Sequence, residues 1–235
     1  MEIIYYIINN AGGIYFLLLI PTVVLAIWAQ INVKSTFNKY SQVSSSKSIT
    51  GAMAAEMVLH ANGVYDVNIE RINGSLTDHY DPKTNTIRLS DPVYSSKSIA
   101  AVGVAAHEAG HAVQHAVNYF PIKVRMAIIP ITQIGSKLAM PLFVIGLIFG
   151  SFLTELGIIL FSLSVFFQLV TLPVEFNASK RALQTISEKN IVDNSEIRYA
   201  RKTLSAAALT YVAALATSFL SLLRLIAIAG GRRRD

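Results

Sequence analysis

The chain has 235 residues, of which 53% are hydrophobic and 14% charged, with a mean hydropathy of +0.48. Soluble domains carry about 25% charged residues, so this composition predicts a membrane protein, and the net charge of +6 does not point to nucleic acid, because the basic residues flank long apolar runs instead of forming a stripe with interleaved aromatics. No cysteine is present, which excludes disulfides, thiolate ligands and cysteine nucleophiles and leaves histidine and carboxylates to hold any metal.

Residues 1–33 contain an uncharged stretch from Ile3 to Val33, most apolar between Ile14 and Ile31 and long enough to span a bilayer. No Lys or Arg precedes it and several follow, which predicts an uncleaved anchor with its N-terminus outside and Lys34 and Lys39 holding the next segment in the cytoplasm. Residues 34–106 carry seven basic and six acidic residues, the near balance of a folded surface. Within them, a helix is expected over Ile49–Ala61, closed by Asn62-Gly63. Alternating residues in Val67–Ile72 and Thr86–Leu89 predict two or three short strands, with turns at Asn73-Gly74 and Asp81-Pro82. The last of these strands, Thr86–Leu89, lies just before the next helix, and as an edge strand it could pair with an extended peptide.

An apolar, helix-favouring run from Ser98 to Val117 contains His107-Glu108-Ala109-Gly110-His111. Histidines four apart on a helix lie about 40° apart around the axis and roughly 6 Å along it, so both can reach one metal ion. Glu108 then sits beside the open coordination position, where it can take a proton from water; this is the metalloprotease pattern. Gly110 disfavours a helix interior by about 1 kcal/mol relative to Ala, which implies that something approaches the helix closely there.

Pro121 ends that run, and a transmembrane hairpin follows, with Leu138–Leu153 and Leu156–Leu172 as its arms and Thr154-Glu155 at its tip. A hairpin returns the chain to the side it left. Residues 175–203, with six basic and four acidic residues, read as an amphipathic helix beginning near Val174. Leu204–Ala229 is a further spanning run, followed by Arg232-Arg233-Arg234. The expected segmentation is an anchor at 1–33, a catalytic module at 34–121, a hairpin at 122–174, the rest of the module at 175–203 and a last spanning helix with a basic tail at 204–235.

A catalytic zinc needs a third protein ligand and one open position. His115 lies about 12 Å along the axis from His107, too far to share the ion. A histidine six residues after His111 would complete another known set, but that position is Val117. Glu175, placed where the hairpin returns, is the best remaining candidate; as an alternative it is an acid placed at a helix start. His60, His79, Glu188, Asp193 and Glu196 are its rivals. His79 and Tyr80 are candidate oxyanion donors, and Asn177, Ser179 and Arg181 candidates for supporting the ligands.

The stretch Ala105-Ala106-His107-Glu108-Ala109-Gly110-His111-Ala112, with Leu76-Thr77-Asp78-His79-Tyr80-Asp81-Pro82 before it and Leu172-Pro173-Val174-Glu175-Phe176-Asn177-Ala178-Ser179 after it, resembles the YugP-like family of membrane zinc metallopeptidases over nearly the whole chain. The resemblance implies a multi-pass membrane peptidase with His107, His111 and Glu175 on Zn2+ and Glu108 as catalytic acid and base. Glu175-x-x-Ala178 is also similar, more distantly, to the E-x-x-A-D ending of HtpX-type membrane peptidases. Ser179 stands where those proteins carry Asp, so an orienting acid for a zinc-bound histidine is missing at that position.

The expected fold is an α+β membrane protein, a mostly helical zincin-like module with a small sheet and about four transmembrane helices. The expected activity is hydrolysis of peptide bonds in membrane or juxtamembrane proteins, at the cell membrane, with the module on the cytoplasmic side. A metal-binding adaptor that recruits a partner without chemistry is the alternative, and Glu108 argues against it. A transporter would need more polar midplane residues than Gln168, Thr210 and Ser218.

Overall fold

The computed structural model describes residues 11–231; the first ten residues of the expected anchor and the Arg232–Arg234 cluster lie outside them. The described elements are α1 (Ala11–Ser41), α2 (Gly51–Ala61), β1 (Asn68–Ile72), β2 (His79–Asp81), β3 (Thr86–Ser90), α3 (Asp91–Tyr94), α4 (Ile99–Ala116), α5 (Phe120–Phe149), α6 (Ser151–Glu188) and α7 (Asn194–Gly231). The α+β class is as expected. Among the described residues, four helices are long and apolar enough to cross a membrane: α1 from Leu19, then α5, α6, and α7 to Gly230. Their apolar side chains stay exposed in the protein, such as Ile20, Val24 and Ile27 on α1 and Ile134 and Ile148 on α5, as lipid-facing residues must.

The chain divides into two compact units. One unit is made of residues 11–29, Val124–Thr171 and residues 210–231. In it α5 and α6 approach closely through glycines: a Cβ on Gly157 would meet Ala139 O and Phe143 N at 2.7 Å. Small residues let membrane helices pack backbone to backbone in this way. The turn between α5 and α6 falls at Gly150, with φ of 150°, and not at the expected Thr154-Glu155. The reversal needs a left-handed conformation that glycine adopts without a Cβ penalty, whereas Thr154 is buried on α6.

The other unit, Gln30–Lys123 with Leu172–Leu209, holds the hydrophobic core. Its central element is α4, in which Ile99 to Val102, Ala105, Ala106, Ala109, Ala112 and Val113 are all buried. Ser98 caps α4 by accepting from Ala101 N, and Asn118, with φ of 55°, turns the chain out of it. Ala54, Ala55 and Val58 of α2, Ile87 and Leu89 of β3, Ala182 and Ile186 of α6, and Ala200 and Leu204 of α7 belong to the same core. The sheet has the order β1-β3-β2, with β1 parallel and β2 antiparallel to β3. β3, the last strand and the one expected at an edge beside the next helix, is therefore the central strand, paired on both sides, and the edge positions fall to β1 and to His79–Asp81.

Pro173 does not start a new helix. It lies inside α6, which is continuous from Ser151 to Glu188. A proline in a helix interior removes one i→i−4 hydrogen bond; helices with apolar flanks tolerate this, as α1 does at Pro21 and α5 at Pro130 and Pro141. Glu175 is consequently an interior residue of α6, and a first-turn dipole role does not apply to it.

Candidate active site

Two helices supply the site. On α4, His107 and His111 face α6, and Gly110 permits close contact between the two helices: a Cβ there would stand 2.6 Å from Ala178 O. That approach accounts for a residue that disfavours the helix by about 1 kcal/mol, since an alanine would have to push two backbones apart. The close packing brings Glu175 to the histidines. Its Oε2 lies 3.2 Å from His107 Nε2 and 3.4 Å from His111 Nε2. The two rings stand edge to face, with centroids 4.7 Å apart and planes at 81°. One donor atom from each of the three residues lies within 4.8 Å of the other two, and among the described residues no other histidine and acid group gathers in this way.

The other sides of both rings are also engaged. Ser179 Oγ lies 3.0 Å from His107 Nδ1, so the serine that replaces an acid still contacts the ring nitrogen such an acid would orient. Gln114 Oε1 lies 3.1 Å from His111 Nδ1. The Gln114 amide donates to Val174 O and to Asn177 Oδ1, and Arg181 Nε donates to the same Asn177 oxygen. Gln114 was not legible as a site residue from its type, although its position three after His111 puts it on the same helical face.

Glu108 is buried, and burial pushes its carboxyl up to about 7. The His107 charge and the Tyr80 backbone N–H oppose that shift, while Glu175 and Asp78 add to it. These are contributions of the protein's own groups; a divalent cation alongside would favour the carboxylate. Asp78 accepts from Ser90 N at 2.7 Å and from Ser90 Oγ, fastening the segment before β2 to the end of β3. In this way β2, through Tyr80, lies against Glu108.

The remaining candidates are placed elsewhere or otherwise engaged. His79 is exposed on β2, and its Nδ1–H donates to Thr77 O, so its Nε2 can donate only when the ring is protonated. The Tyr80 hydroxyl donates to Asn85, and its ring meets His115 edge-on at 5.6 Å. Burial holds His115 below the usual histidine range. His60 packs on Tyr65, Glu188 accepts from Gln184, and Asp193 and Glu196 both accept from Ser46 at the start of α7.

A family model described as "Putative neutral zinc metallopeptidase" matches residues 15–230. The chain belongs to that family. It is 50% identical over 216 residues to the "Putative membrane protease YugP" of Bacillus subtilis (strain 168), covering 92% of this chain and 96% of that protein. No solved structure matches it. The chain is thus a membrane protein of a zinc metallopeptidase family, and the expected cofactor, Zn2+, is the family's metal. The cluster fits such an ion: it offers two imidazole nitrogens and a carboxylate, the donor types zinc takes from a cysteine-free protein. Each imidazole has Nδ1 engaged and Nε2 turned to the cluster.

Proposed function

We propose that the protein is a membrane-embedded zinc endopeptidase of the gluzincin type, with His107, His111 and Glu175 as the metal ligands and Glu108 as general base and acid. The observation that carries this reading is the convergence of both Nε2 atoms on one Glu175 oxygen, at 3.2 and 3.4 Å, one residue away from a buried carboxyl. Zinc bound there supplies Lewis acidity, which polarises a scissile carbonyl and makes water easier to deprotonate. Glu108 accepts the proton from water and returns it to the leaving amine. The Tyr80 N–H fixes the carboxylate that does so. Ser179 and Asn177 support the ligands, the first directly at His107 and the second through Gln114. His79 serves as an oxyanion donor only as an imidazolium.

Substrate is an extended protein segment running along β2, the edge strand beside Glu108, through backbone hydrogen bonds. Apolar spanning helices flank the module in sequence, which favours membrane or juxtamembrane proteins as substrates. Purified full-length protein is expected to hydrolyse an unfolded casein, to lose the activity when zinc is stripped by a chelator and to recover it on adding zinc. Undiminished hydrolysis by the zinc-free protein would sink the reading.

The module lies on the cytoplasmic side, because residues 34–106 and 175–203 carry 13 of the 20 basic residues. Cysteines placed at the exposed positions Ser75 and Lys189 test this against a background free of native thiols. Both are expected to resist a membrane-impermeant thiol reagent in intact cells and to react once the cells are opened. Labelling of both in intact cells would invert the orientation.

A further inference from the structure

Gln114 is fully buried, yet every polar atom of its amide has a partner, and those partners admit one arrangement only. Val174 O, 2.8 Å from Nε2, can only accept. Asn177 Oδ1, 3.0 Å from the same nitrogen, is identified as oxygen by the Arg181 Nε donor 2.8 Å away. The amide nitrogen therefore faces α6, and Oε1 faces His111. An amide oxygen cannot donate, so the hydrogen in the 3.1 Å contact belongs to His111 Nδ1. In a neutral imidazole that leaves the lone pair on Nε2, the atom turned towards Glu175. Val174, whose carbonyl holds the amide, is the residue before Glu175.

We infer that Gln114 is a positioning residue: its buried amide locks His111 as the Nδ1–H tautomer and fastens that ring to the α6 backbone beside Glu175, so that two ligands on different helices are set by one side chain. The inference rests on the zinc-site reading above. Asn177 and Arg181 act behind it by keeping the amide from turning over. Loss of a partner of this kind typically weakens metal affinity on the order of 10- to 100-fold.

The test uses full-length protein in detergent and two measurements: the zinc dissociation constant, by competition with a chromophoric chelator, and the thermal midpoint of the zinc-free protein. Gln114→Leu fills the space but offers no acceptor. Gln114→Glu keeps an acceptor for His111 Nδ1–H but turns a second carboxylate oxygen towards Val174 O and Asn177 Oδ1. For folding, the buried carboxylate is the worse substitution; for zinc, the acceptor makes it the better one. The expected result is a reversal of rank: Gln114→Leu loses on the order of 10- to 100-fold in zinc affinity, and Gln114→Glu recovers most of that loss although its zinc-free thermal midpoint is lower than that of Gln114→Leu. Native-like affinity in Gln114→Leu, or affinities that follow the thermal midpoints, would overturn the positioning role. His107→Ala is the control for the site itself. If it binds zinc as tightly as the native protein, the metal lies elsewhere and both readings fall; if it loses zinc while Gln114→Leu does not, only the role of Gln114 falls.

Discussion

Glu108→Gln is expected to retain zinc and fold while losing about 10²-fold or more in peptide hydrolysis, the scale of a general acid and base. The amide nearly matches the carboxylate in size, and its oxygen can still accept from the Tyr80 N–H that now serves the carboxyl. It carries no charge to desolvate, so a buried position does not penalise it as it does Glu108. What it cannot do is take a proton at neutral pH. The deciding quantity is activity per bound zinc, because that ratio removes any loss of metal from the comparison. A metal-binding adaptor would be indifferent to the change, since partner binding depends on shape and metal and not on a base. Equal rates in the two proteins would remove Glu108 from the chemistry.

The parts of the fold set by local chemistry were legible in the sequence. The expected helix from Ser98 to Val117 is α4 with Ser98 as its N-cap and Val117 as its C-cap, because a capping hydroxyl and an apolar period both act within a few residues. The Asn62-Gly63 stop after α2 is of the same kind. Long-range contacts were not legible. The parallel pairing of β1 with β3 and the short β2 depend on which strand lies beside which, and three residues carry no period to read. Pro173 signals a break by local rules, but it lies within a continuous helix, and this alters the meaning of Glu175 from a helix-start acid to an interior one. Gly110 marked a close approach without naming what approaches; the structure supplies Ala178 O. At the site, the spacing of His107 and His111 announced a pair, while Glu175 was one of several acids and histidines, distinguished by where the hairpin returns and by the family resemblance and not by any local pattern. Gln114 carries no signature at all, since an amide in a helix is ordinarily a surface residue. Its role is visible only once Val174 and Asn177 stand opposite it.

Glu175→Ala is expected to bind far less than one zinc per chain, and it is the substitution that separates Glu175 from its rivals. The side chain is only 3% exposed and lies within 3.4 Å of both imidazole Nε2 atoms, so its removal leaves the two imidazole nitrogens facing a gap. Two ligands are one fewer than the three that catalytic zinc sites take from the protein. The loss should exceed the order of 10- to 100-fold that follows removal of a residue that merely supports a ligand. Ala substitutions at His60, Glu188, Asp193 or Glu196 are expected to leave the stoichiometry intact, because those residues are engaged with Tyr65, Gln184 and Ser46. A cavity alone cannot mimic the result if the zinc-free proteins are compared as well. Truncating a buried side chain lowers the thermal midpoint whether or not it binds metal, whereas only a ligand changes the extra stabilisation that added zinc confers through mass action. In the native protein that zinc-dependent rise in midpoint should be large, and in Glu175→Ala it should nearly vanish. A full complement of zinc in Glu175→Ala, with the native rise preserved, would assign the third ligand to another residue.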